Sequence, residues 1–337
     1  AEALGEHAGA VVALDARTGA VRVLYSAPSF DPNMFAGRLS RSEWERVRDD
    51  PLHPLQNRCV QGAYPPGSTI KPFLLLGALA DDRINSQWGV RCRGAVVLHG
   101  HRFRCWVQSG HGSVGVARSL EASCDTFYYL LGQSMGISRM AFWLERFGFG
   151  SRTGIGFPSE RTGLVGTPEW SRRVRKQPWY PGEAVSVSIG QGPVLGTTVQ
   201  LARAFAALAN GGWMVTPHLA EGRTPAERTN LHIDPVHLAL AVEGLRLVTH
   251  GSEGTARRLA SLPVAGKTGT AQVARLQEGV KVEDLDRALR HHAWFVGWAP
   301  LDEPDLVVAV LVEHGGGGGS VAAPVAREIF RAALKGR

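Results

Sequence analysis

The stretch YPPGSTIKPF, residues 64–73, places a serine and a lysine three residues apart behind two prolines and a glycine. Pro72 lacks a backbone N–H, which is harmless only in a helix's first turn, where N–H groups have no intrahelical partners. A helix is therefore predicted to begin at about Ser68, with Ser68 and Lys71 on one face. Free N–H groups at this end could hold an oxyanion, and a neutral Lys71 could take the Ser68 proton. The pattern predicts an acyl-transfer nucleophile; taken alone, it also fits a simple helix cap.

The composition sets broad limits on what the protein can be. The 337 residues are 44% apolar, enough for a sizeable core in one large domain or two modest ones. No apolar run approaches the roughly 18 residues of a membrane span, and there is no signal peptide, so a fragment of a longer protein is expected. The net charge of +7 favours an anionic neighbour or is simply that of a basic domain. Without a nucleic-acid-binding motif, no nucleic-acid partner is expected.

Strand patterns lie at both ends of the chain, and helical patterns lie between them. Residues 8–25 read as two strands joined by a turn at 16–19, and residues 28–66 read as an irregular surface segment. Helical spacing covers 69–80, much of 114–148 and 197–210, and strands are expected within 263–274, 291–300 and 305–314 before a last helix at 322–336. This order predicts an α+β fold: an antiparallel sheet built from both chain ends, flanked by helices, with a helical subdomain inserted at roughly 80–260.

Two further motifs support a catalytic interpretation of the Ser-x-x-Lys pattern. KTGTAQ begins at Lys267 in a predicted strand, and SCD spans Ser123 to Asp125 at the head of a predicted helix. Ser-x-x-Lys, Ser-Asp-Asn and Lys-Thr-Gly occur together in penicillin-binding proteins and class A β-lactamases. All three types of motif occur here in that order, which argues against coincidence.

The chain resembles the transpeptidase domain of class B penicillin-binding proteins, most closely the penicillin-binding protein 2 group of elongation D,D-transpeptidases. The resemblance runs over nearly the whole chain, 1–337, and is carried by VVALDARTGAV, PSFDPN, QGAYPPGSTIKP, GHGSVGVARSLEASCDTFYY, SIGQG and KTGTAQ. It implies the penicillin-binding/serine β-lactamase-like fold. It also implies a soluble catalytic fragment, because the membrane anchor and pedestal of that family are not part of this sequence.

The resemblance implies a role for each residue of the first two motifs. Ser68 would be the acylated nucleophile and Lys71 its base. Ser123 would relay protons to the leaving group or from the incoming amine. Asp125 stands where most relatives have Asn; elongation-type enzymes often carry Asp here, so the residue fits this subgroup. For Asp125 alone, a helix-start acid favoured by the helix dipole is the other interpretation.

The third motif would bind the substrate. By resemblance, Lys267 balances charge in the cleft, and the hydroxyls of Thr268 and Thr270 hold the terminal carboxylate. Gly269 lacks a side chain, so a peptide could lie along the strand edge. The backbone N–H groups of Ser68 and Thr270 would form the oxyanion hole.

A cysteine and histidine cluster predicts a metal site. Cys92, Cys105, His111 and Cys124 lie 13, 6 and 13 residues apart, and the first two could flank a hairpin around Gly100. Three thiolates and one imidazole suit a closed structural Zn²⁺ site, which would brace Ser123 and Asp125 from behind. The alternatives are a Cys92–Cys105 disulfide with Cys124 free, or three unconnected thiols.

Five further residues and one glycine run carry separate expectations. His99 and His101 are possible substitute metal ligands, and Cys59 is expected to be a small buried residue. His291 and His292 are expected at a solvated strand start. The five glycines at 315–319 are compatible with either a native loop or a linker.

These observations predict a peptidoglycan D,D-transpeptidase that needs no cofactor for its chemistry and is acylated and inhibited by β-lactams. Its substrates would be peptidoglycan stem peptides. The alternatives are a D,D-carboxypeptidase or β-lactamase, which direct water at the acyl-enzyme, and a non-catalytic β-lactam sensor or scaffold. By resemblance, the full-length protein would be held in the inner membrane with its catalytic domain in the periplasm, and its partners would be the polymerase RodA and the scaffold MreC.

Overall fold

A computed structural model describes residues 1–220, 228–273 and 284–335. The strands are, in chain order, β1 (Gly9–Asp15), β2 (Val21–Ala27), β3 (Gly89–Cys92), β4 (Ala95–Leu98), β5 (His101–Arg104), β6 (Gly112–Gly115), β7 (Leu164–Val165), β8 (Val194–Leu195), β9 (Trp213–Met214), β10 (Thr229–Asn230), β11 (Ala265–Ala271), β12 (His292–Ala299) and β13 (Leu306–Val312). The helices are α1 (Arg41–Arg48), α2 (Lys71–Ala80), α3 (Val116–Glu121), α4 (Asp125–Arg146), α5 (Pro168–Trp170), α6 (Pro181–Val187), α7 (Thr198–Ala209), α8 (Pro235–His250) and α9 (Ala323–Lys335).

The central sheet joins the two ends of the chain, as predicted. Its five antiparallel strands have the order β11-β12-β13-β1-β2. Strand β1 pairs with β13, so that Val12 lies opposite Ala309, and β11 is left as an edge strand. The predicted strands at 8–25, 291–300 and 305–314 are confirmed. The strand predicted at 263–274 is observed as β11, and its last predicted residue lies outside the described residues.

Helices cover both faces of this sheet. Val12 and Leu14 of β1 belong to the same buried cluster as residues of α2 and α7, whereas Val11 and Ala13 pack with Phe330 of α9. A strand that is covered on both faces gains from apolar side chains at every position, which explains the continuous run in β1. Within the described ranges, none of the helices has both the length and the apolar character needed to cross a membrane.

One segment is more regular than the sequence indicated. Residues 28–66 were expected to be irregular, but α1 lies within them and begins at a capping box formed by Ser40 and Glu43. The Ser-x-x-Glu pattern is the signal that could have revealed this helix. Arg58 and Cys59 in the same segment are buried rather than on the surface. Cys59 is therefore a small buried residue, as predicted, and burial raises the pKa of its thiol to about 12.

Two small antiparallel ribbons lie in front of α4. Strand β3 pairs with β6, and β4 pairs with β5 around a turn at His99 and Gly100, so the hairpin predicted around Gly100 is confirmed. Both turn residues have positive φ angles, as a tight hairpin turn requires. Ribbon β4–β5 packs on Tyr129 of α4 and Val185 of α6.

Candidate active site

Ser68 lies where the sequence predicts a helix start. It is in a short 3₁₀ turn, Gly67–Ile70, which leads directly into α2 at Lys71. Pro72 is in the first turn of α2, where its missing N–H costs no hydrogen bond. This local geometry places Ser68 at the entrance of the helix and turns Lys71 into the protein interior, where it is fully buried.

The segment before Ser68 is clamped from several sides. Gly67 has a φ of +56°, and a Cβ atom on it would lie 2.6 Å from the carbonyl oxygen of Thr270. Only glycine fits this close approach at a positive φ. The Gly67 N–H donates to Gly190 O at 3.0 Å, and Nε1 of Trp294 donates to Pro65 O, also at 3.0 Å. These contacts fix the Ser68 turn against strand β11.

Lys71 connects the first motif to the second. Its Nζ donates to Oδ1 of Asp125 at 2.7 Å and to the carbonyl oxygen of Ser123 at 2.9 Å. It also lies 3.3 Å from Oγ of Ser123 and 5.0 Å from the ring centre of Tyr128. Ser123 has a φ of +52°, a rare conformation for a serine that turns its side chain toward Lys71. The structure therefore brings together two motifs that are far apart in sequence.

The third motif lies on the edge strand β11. Lys267 is fully buried; burial and the charge of Lys71 hold its pKa well below the usual value, while Asp125 acts in the opposite direction. Its Nζ donates to Thr268 O at 3.2 Å. The hydroxyl groups of Thr268 and Thr255 are 2.6 Å apart, and Nε2 of Gln191 donates to Thr270 O at 2.9 Å.

One cavity of about 610 Å³ contains residues of all three motifs. Its walls include Ser68, Ser123, Asp125, Thr268, Gly269 and Thr270. Arg104, Trp106 and Tyr129 line it as well, as do glycines 317–319. Lys71 and Lys267 are buried. Lys71 donates a hydrogen bond to Asp125, and Lys267 donates one to the carbonyl oxygen of Thr268. A nucleophile, a buried lysine bonded to a second serine, and hydroxyls on a strand edge are the parts that acyl transfer requires.

Comparison with known proteins agrees with this geometry. A family model described as "Penicillin binding protein transpeptidase domain" matches residues 9–331. The chain belongs to the penicillin-binding protein transpeptidase family. Among curated relatives, "Peptidoglycan D,D-transpeptidase MrdA" of Acinetobacter baumannii is 40% identical over 336 residues, covering 96% of this chain and 50% of that protein. The protein of the same name from Escherichia coli K12 is 39% identical over 329 residues, covering 93% of this chain and 52% of its own length.

Solved structures agree with the fold. The Pseudomonas aeruginosa PBP2 in complex with WCK 5153 superposes with a TM-score of 0.89 at 38% identity, covering 99% of this chain and 72% of that chain. The Helicobacter pylori PBP2 in complex with MreC also gives 0.89, at 28% identity, covering 99% and 62%. The penicillin-binding transpeptidase fold predicted from sequence is confirmed. The chain spans about half the length of the curated relatives it matches.

This transpeptidase domain also assembles the predicted cysteine and histidine cluster. One ligand atom from each of Cys92, Cys105, His111 and Cys124 lies within 4.8 Å of the others. The three thiols are buried and free, with no disulfide between them. The Cys124 thiol donates to Cys105 and lowers the pKa of the Cys105 thiol, whereas the same contact and burial raise the pKa of Cys124. His99 and His101 lie at the exposed hairpin turn instead.

The expectation of a solvated strand start at His291 and His292 needs revision. His291 was expected at a solvated strand start, but it is only 3% exposed, and it lines the cleft of the transpeptidase domain. Its Nδ1 accepts the Val273 N–H at 3.4 Å, and burial lowers its pKa. His292 is partly buried, and its Nδ1 accepts the N–H of His314. The prediction was wrong because the start of β12 pairs with the end of β11, with His292 opposite Ala271, and is not solvated.

The glycine run 315–319 is part of the fold. A Cβ atom on Gly318 would lie 2.5 Å from the carbonyl oxygen of Gly269, and one on Gly319 would collide with Thr255 O. This close packing leaves no room for a side chain at these two positions, which explains why both are glycine. A flexible linker would not impose this restriction. Thr255, Gln191 and Trp106 line the cleft and were not singled out as site residues; of these, only Gln191 had a signal, in the SIGQG motif.

Proposed function

We propose that this chain is the catalytic domain of a serine-type peptidoglycan D,D-transpeptidase that cross-links stem peptides during cell elongation. The observation that carries the proposal is the bonding of Lys71 to both Ser123 and Asp125 beneath a cavity that Ser68 and the β11 edge share. The activity is that named for relatives about 40% identical to this chain.

In the first step, Oγ of Ser68 attacks the carbonyl carbon between the two terminal D-alanines. A carbon–oxygen bond forms and the peptide carbon–nitrogen bond breaks. Lys71, one helical turn from Ser68, takes the serine proton, and Ser123, hydrogen-bonded to Lys71, passes a proton to the departing D-alanine nitrogen. The products are an acyl-enzyme and free D-alanine.

In the second step, the side-chain amine of a neighbouring stem peptide attacks the ester. A new amide bond forms, the ester bond breaks, and the proton of the amine returns to Ser68 through Ser123 and Lys71. Hydrogen bonds to Ser123 and Asp125 hold the fully buried Lys71 in place. In the neutral form that takes the Ser68 proton, its amine still has two N–H groups to donate to these residues.

Strand β11 is proposed to position the substrate. Because it is an edge strand, its free backbone groups can pair with an extended peptide. Thr268 and Thr270 would hold the terminal carboxylate, with Lys267 nearby to balance charge. Gly269 leaves room for the substrate backbone, and the N–H groups of Ser68 and Thr270 would bind the oxyanion.

The test is intact mass spectrometry after incubation with a penicillin, with Ser68→Ala as the paired variant. We expect one persistent adduct per chain that is lost in the variant, because a β-lactam would acylate Ser68 and hydrolyse slowly. Rapid loss of the adduct with release of hydrolysed penicillin would indicate a β-lactamase. Folded protein that forms no adduct would refute the acyl-enzyme mechanism.

We further propose that Cys92, Cys105, His111 and Cys124 hold a structural Zn²⁺. The Nδ1 atom of His111 lies 3.5 Å from Sγ of Cys105, close to the separation of about 3.6 Å between N and S ligands on a tetrahedral zinc. Nε2 of His111 is buried without a hydrogen-bond partner among the described residues. When bound, the metal would cross-link the segment around Cys105 to the start of α4, and it would take no part in the chemistry.

The complete protein would work at the inner membrane with its catalytic domain in the periplasm. Two similar solved structures support partners there: one is a PBP2 bound to MreC, and the other belongs to a study of a peptidoglycan synthase complex that coordinates polymerization and crosslinking. We propose a RodA-type polymerase and MreC as partners. Within the chain, we propose one transpeptidase domain over 1–337 with a helical subdomain inserted at roughly 80–260.

A further inference from the structure

A basic lobe, defined here as residues 89–115, stands beside the cleft. The sequence from 83 to 120 contains no Asp or Glu but six arginines. Four of these arginines are exposed within the lobe, namely Arg91, Arg93, Arg102 and Arg104. A surface of one sign with no acid among its own residues attracts anions.

The hairpin β4–β5 determines where part of this charge lies. Val96, Leu98 and Phe103 face inward and pack near Tyr129. Because side chains alternate along a strand, Arg102 and Arg104 share the opposite, outer face. Arg104 also lines the cleft, and Arg102 lies two residues earlier in β5, about 7 Å away. The outer face of β5 therefore continues the wall of the cleft outward.

Arg102 lies outside the ion pairs that form within the described part of the chain. Other arginines of the chain form ion pairs, such as Arg118 with Glu253 and Arg139 with Asp81. Among the described residues, Arg102 has no carboxylate partner. An exposed guanidinium that already lies on a sheet face can bind a carboxylate without first breaking an internal pair.

The wall is rigid where it meets the cleft. The Tyr129 hydroxyl donates to Arg104 O at 3.0 Å, and the Cys105 N–H donates to Gly94 O at 2.8 Å. Trp106 is 58% exposed on the cleft, yet its Nε1 donates to Ala122 O at 3.1 Å, directly before Ser123. A fixed wall lowers the entropy that is lost when a substrate binds along it.

We propose that the outer face of β5, formed by Arg102 and Arg104 and continued by Trp106, binds the carboxylate-bearing part of the peptide substrate beyond its two terminal residues. The proposal rests on the proposed function, because it extends the same cleft. An acidic peptide fits better than a membrane surface, because the arginines follow one strand out of the cleft. Trp106 offers an aromatic surface for the peptide's aliphatic portions.

The test uses competition with a fluorescent penicillin that acylates Ser68. Two synthetic peptides ending in D-Ala-D-Ala are compared: one carries two free side-chain carboxylates, and its twin carries carboxamides at the same positions. For each protein, the peptide concentration that halves the acylation rate is measured, and the ratio between the twins is the readout. The variants are Arg102→Glu and, as a matched charge reversal on the exposed face of α9, Arg331→Glu.

We expect the acidic peptide to protect wild-type protein at about fivefold lower concentration than its twin, and the preference to shrink with added salt. Arg102→Glu is expected to abolish the preference, and Arg331→Glu to retain it. Equal protection by the twins in wild type, or an unchanged preference in Arg102→Glu, would overturn the proposal. So would binding to phosphatidylglycerol vesicles that depends on Arg102 when the peptides show no preference.

The same experiment separates this proposal from the proposed function. If the fluorescent penicillin does not acylate the folded wild-type protein, the proposed function fails and this inference fails with it. If acylation is normal and the twins protect equally, only the proposed role of Arg102 and Arg104 is refuted.

Discussion

Nζ of Lys71 lies 2.7 Å from Oδ1 of Asp125, although the two residues are 54 positions apart in the sequence. The lysine is fully buried, and the side chain of the aspartate is 14% exposed. A buried ion pair of this kind is costly to break, because the remaining charge is left without its partner. The pair therefore links the folding of this region to the reactivity of Ser68.

Replacing Asp125 should separate the hydrogen bond from the charge. Asp125→Asn keeps an oxygen acceptor for Lys71, so we expect penicillin acylation to stay within about tenfold of wild type. Asp125→Leu removes the acceptor as well as the charge, so that Lys71 is left buried without a partner at this position, which should reduce the free energy of unfolding by about 3 kcal/mol and slow acylation by at least 100-fold. Denaturant titration and stopped-flow acylation measure the two effects. Equal behaviour of the two variants would show that the hydrogen bond from Lys71 to residue 125 is unimportant.

Gly67→Ala should disturb the nucleophile more than a positive φ alone would. A Cβ at this position meets Thr270 O at 2.6 Å, whereas Gly5 has almost the same φ and no atom within 4 Å. We expect Gly5→Ala to cost about 1 kcal/mol of stability. Gly67→Ala should cost a further 1–3 kcal/mol or so and slow acylation at least tenfold. Thermal unfolding measures the stability of both variants, and penicillin labelling measures their acylation rates. Equal losses of stability and rate in the two variants would mean that contact with β11 does not position Ser68.

Acid should destabilise the region around His292. Burial and the neighbouring His314 lower the pKa of His292 from 6.5 to about 4. Since the folded state binds the proton less tightly than the unfolded state, this contribution to stability is complete above about pH 6.5 and is lost as the pH falls toward 4. His292→Asn keeps an acceptor for the His314 N–H and removes the titration.

The variant should therefore lose less stability than wild type between pH 6.5 and 4, by on the order of 2 kcal/mol. His99→Asn, at the exposed hairpin turn, serves as the control and should follow the wild-type curve. Melting temperatures measured across this pH range decide the matter, and parallel curves for His292→Asn and wild type would contradict it.

Zinc should co-purify with the chain in one equivalent and stabilise it. His111→Ala removes a proposed ligand, so we expect the metal content to fall below half an equivalent and the melting temperature to drop by several degrees. His101→Ala removes a histidine that lies outside the cluster and should retain both values. Elemental analysis with calorimetry provides the measurement. Metal-free wild-type protein that melts at the same temperature with and without added zinc would exclude the site.

The sequence was most informative where local chemistry decides structure. Pro72 and the spacing of Ser68 and Lys71 were sufficient to locate the helix start, and apolar runs located β1, β12 and β13. The cysteine cluster was also foreseen, because thiols and imidazoles close in sequence have few common uses.

Other features depend on contacts between distant segments and could not be predicted. Nothing near Thr255 indicates that its hydroxyl meets Thr268, and nothing in the run HHAW shows that His291 is buried next to the end of β11. The position of Arg102 relative to the cleft likewise depends on how the β4–β5 hairpin packs on α4. Single-sequence patterns do not specify that packing.

The pairing of β1 with β13 has a consequence for biosynthesis. A ribosome makes β1 long before β13, so the central sheet cannot close until nearly all of the chain has emerged. Such late, long-range pairing makes folding slow and leaves apolar strands exposed on the growing polypeptide. Strand β11, against which the Ser68 turn rests, is made in the same late phase. A chain interrupted before β13 would therefore carry an intact Ser-x-x-Lys motif and still be inert, so that labelling by an antibiotic would report only on chains whose synthesis had finished.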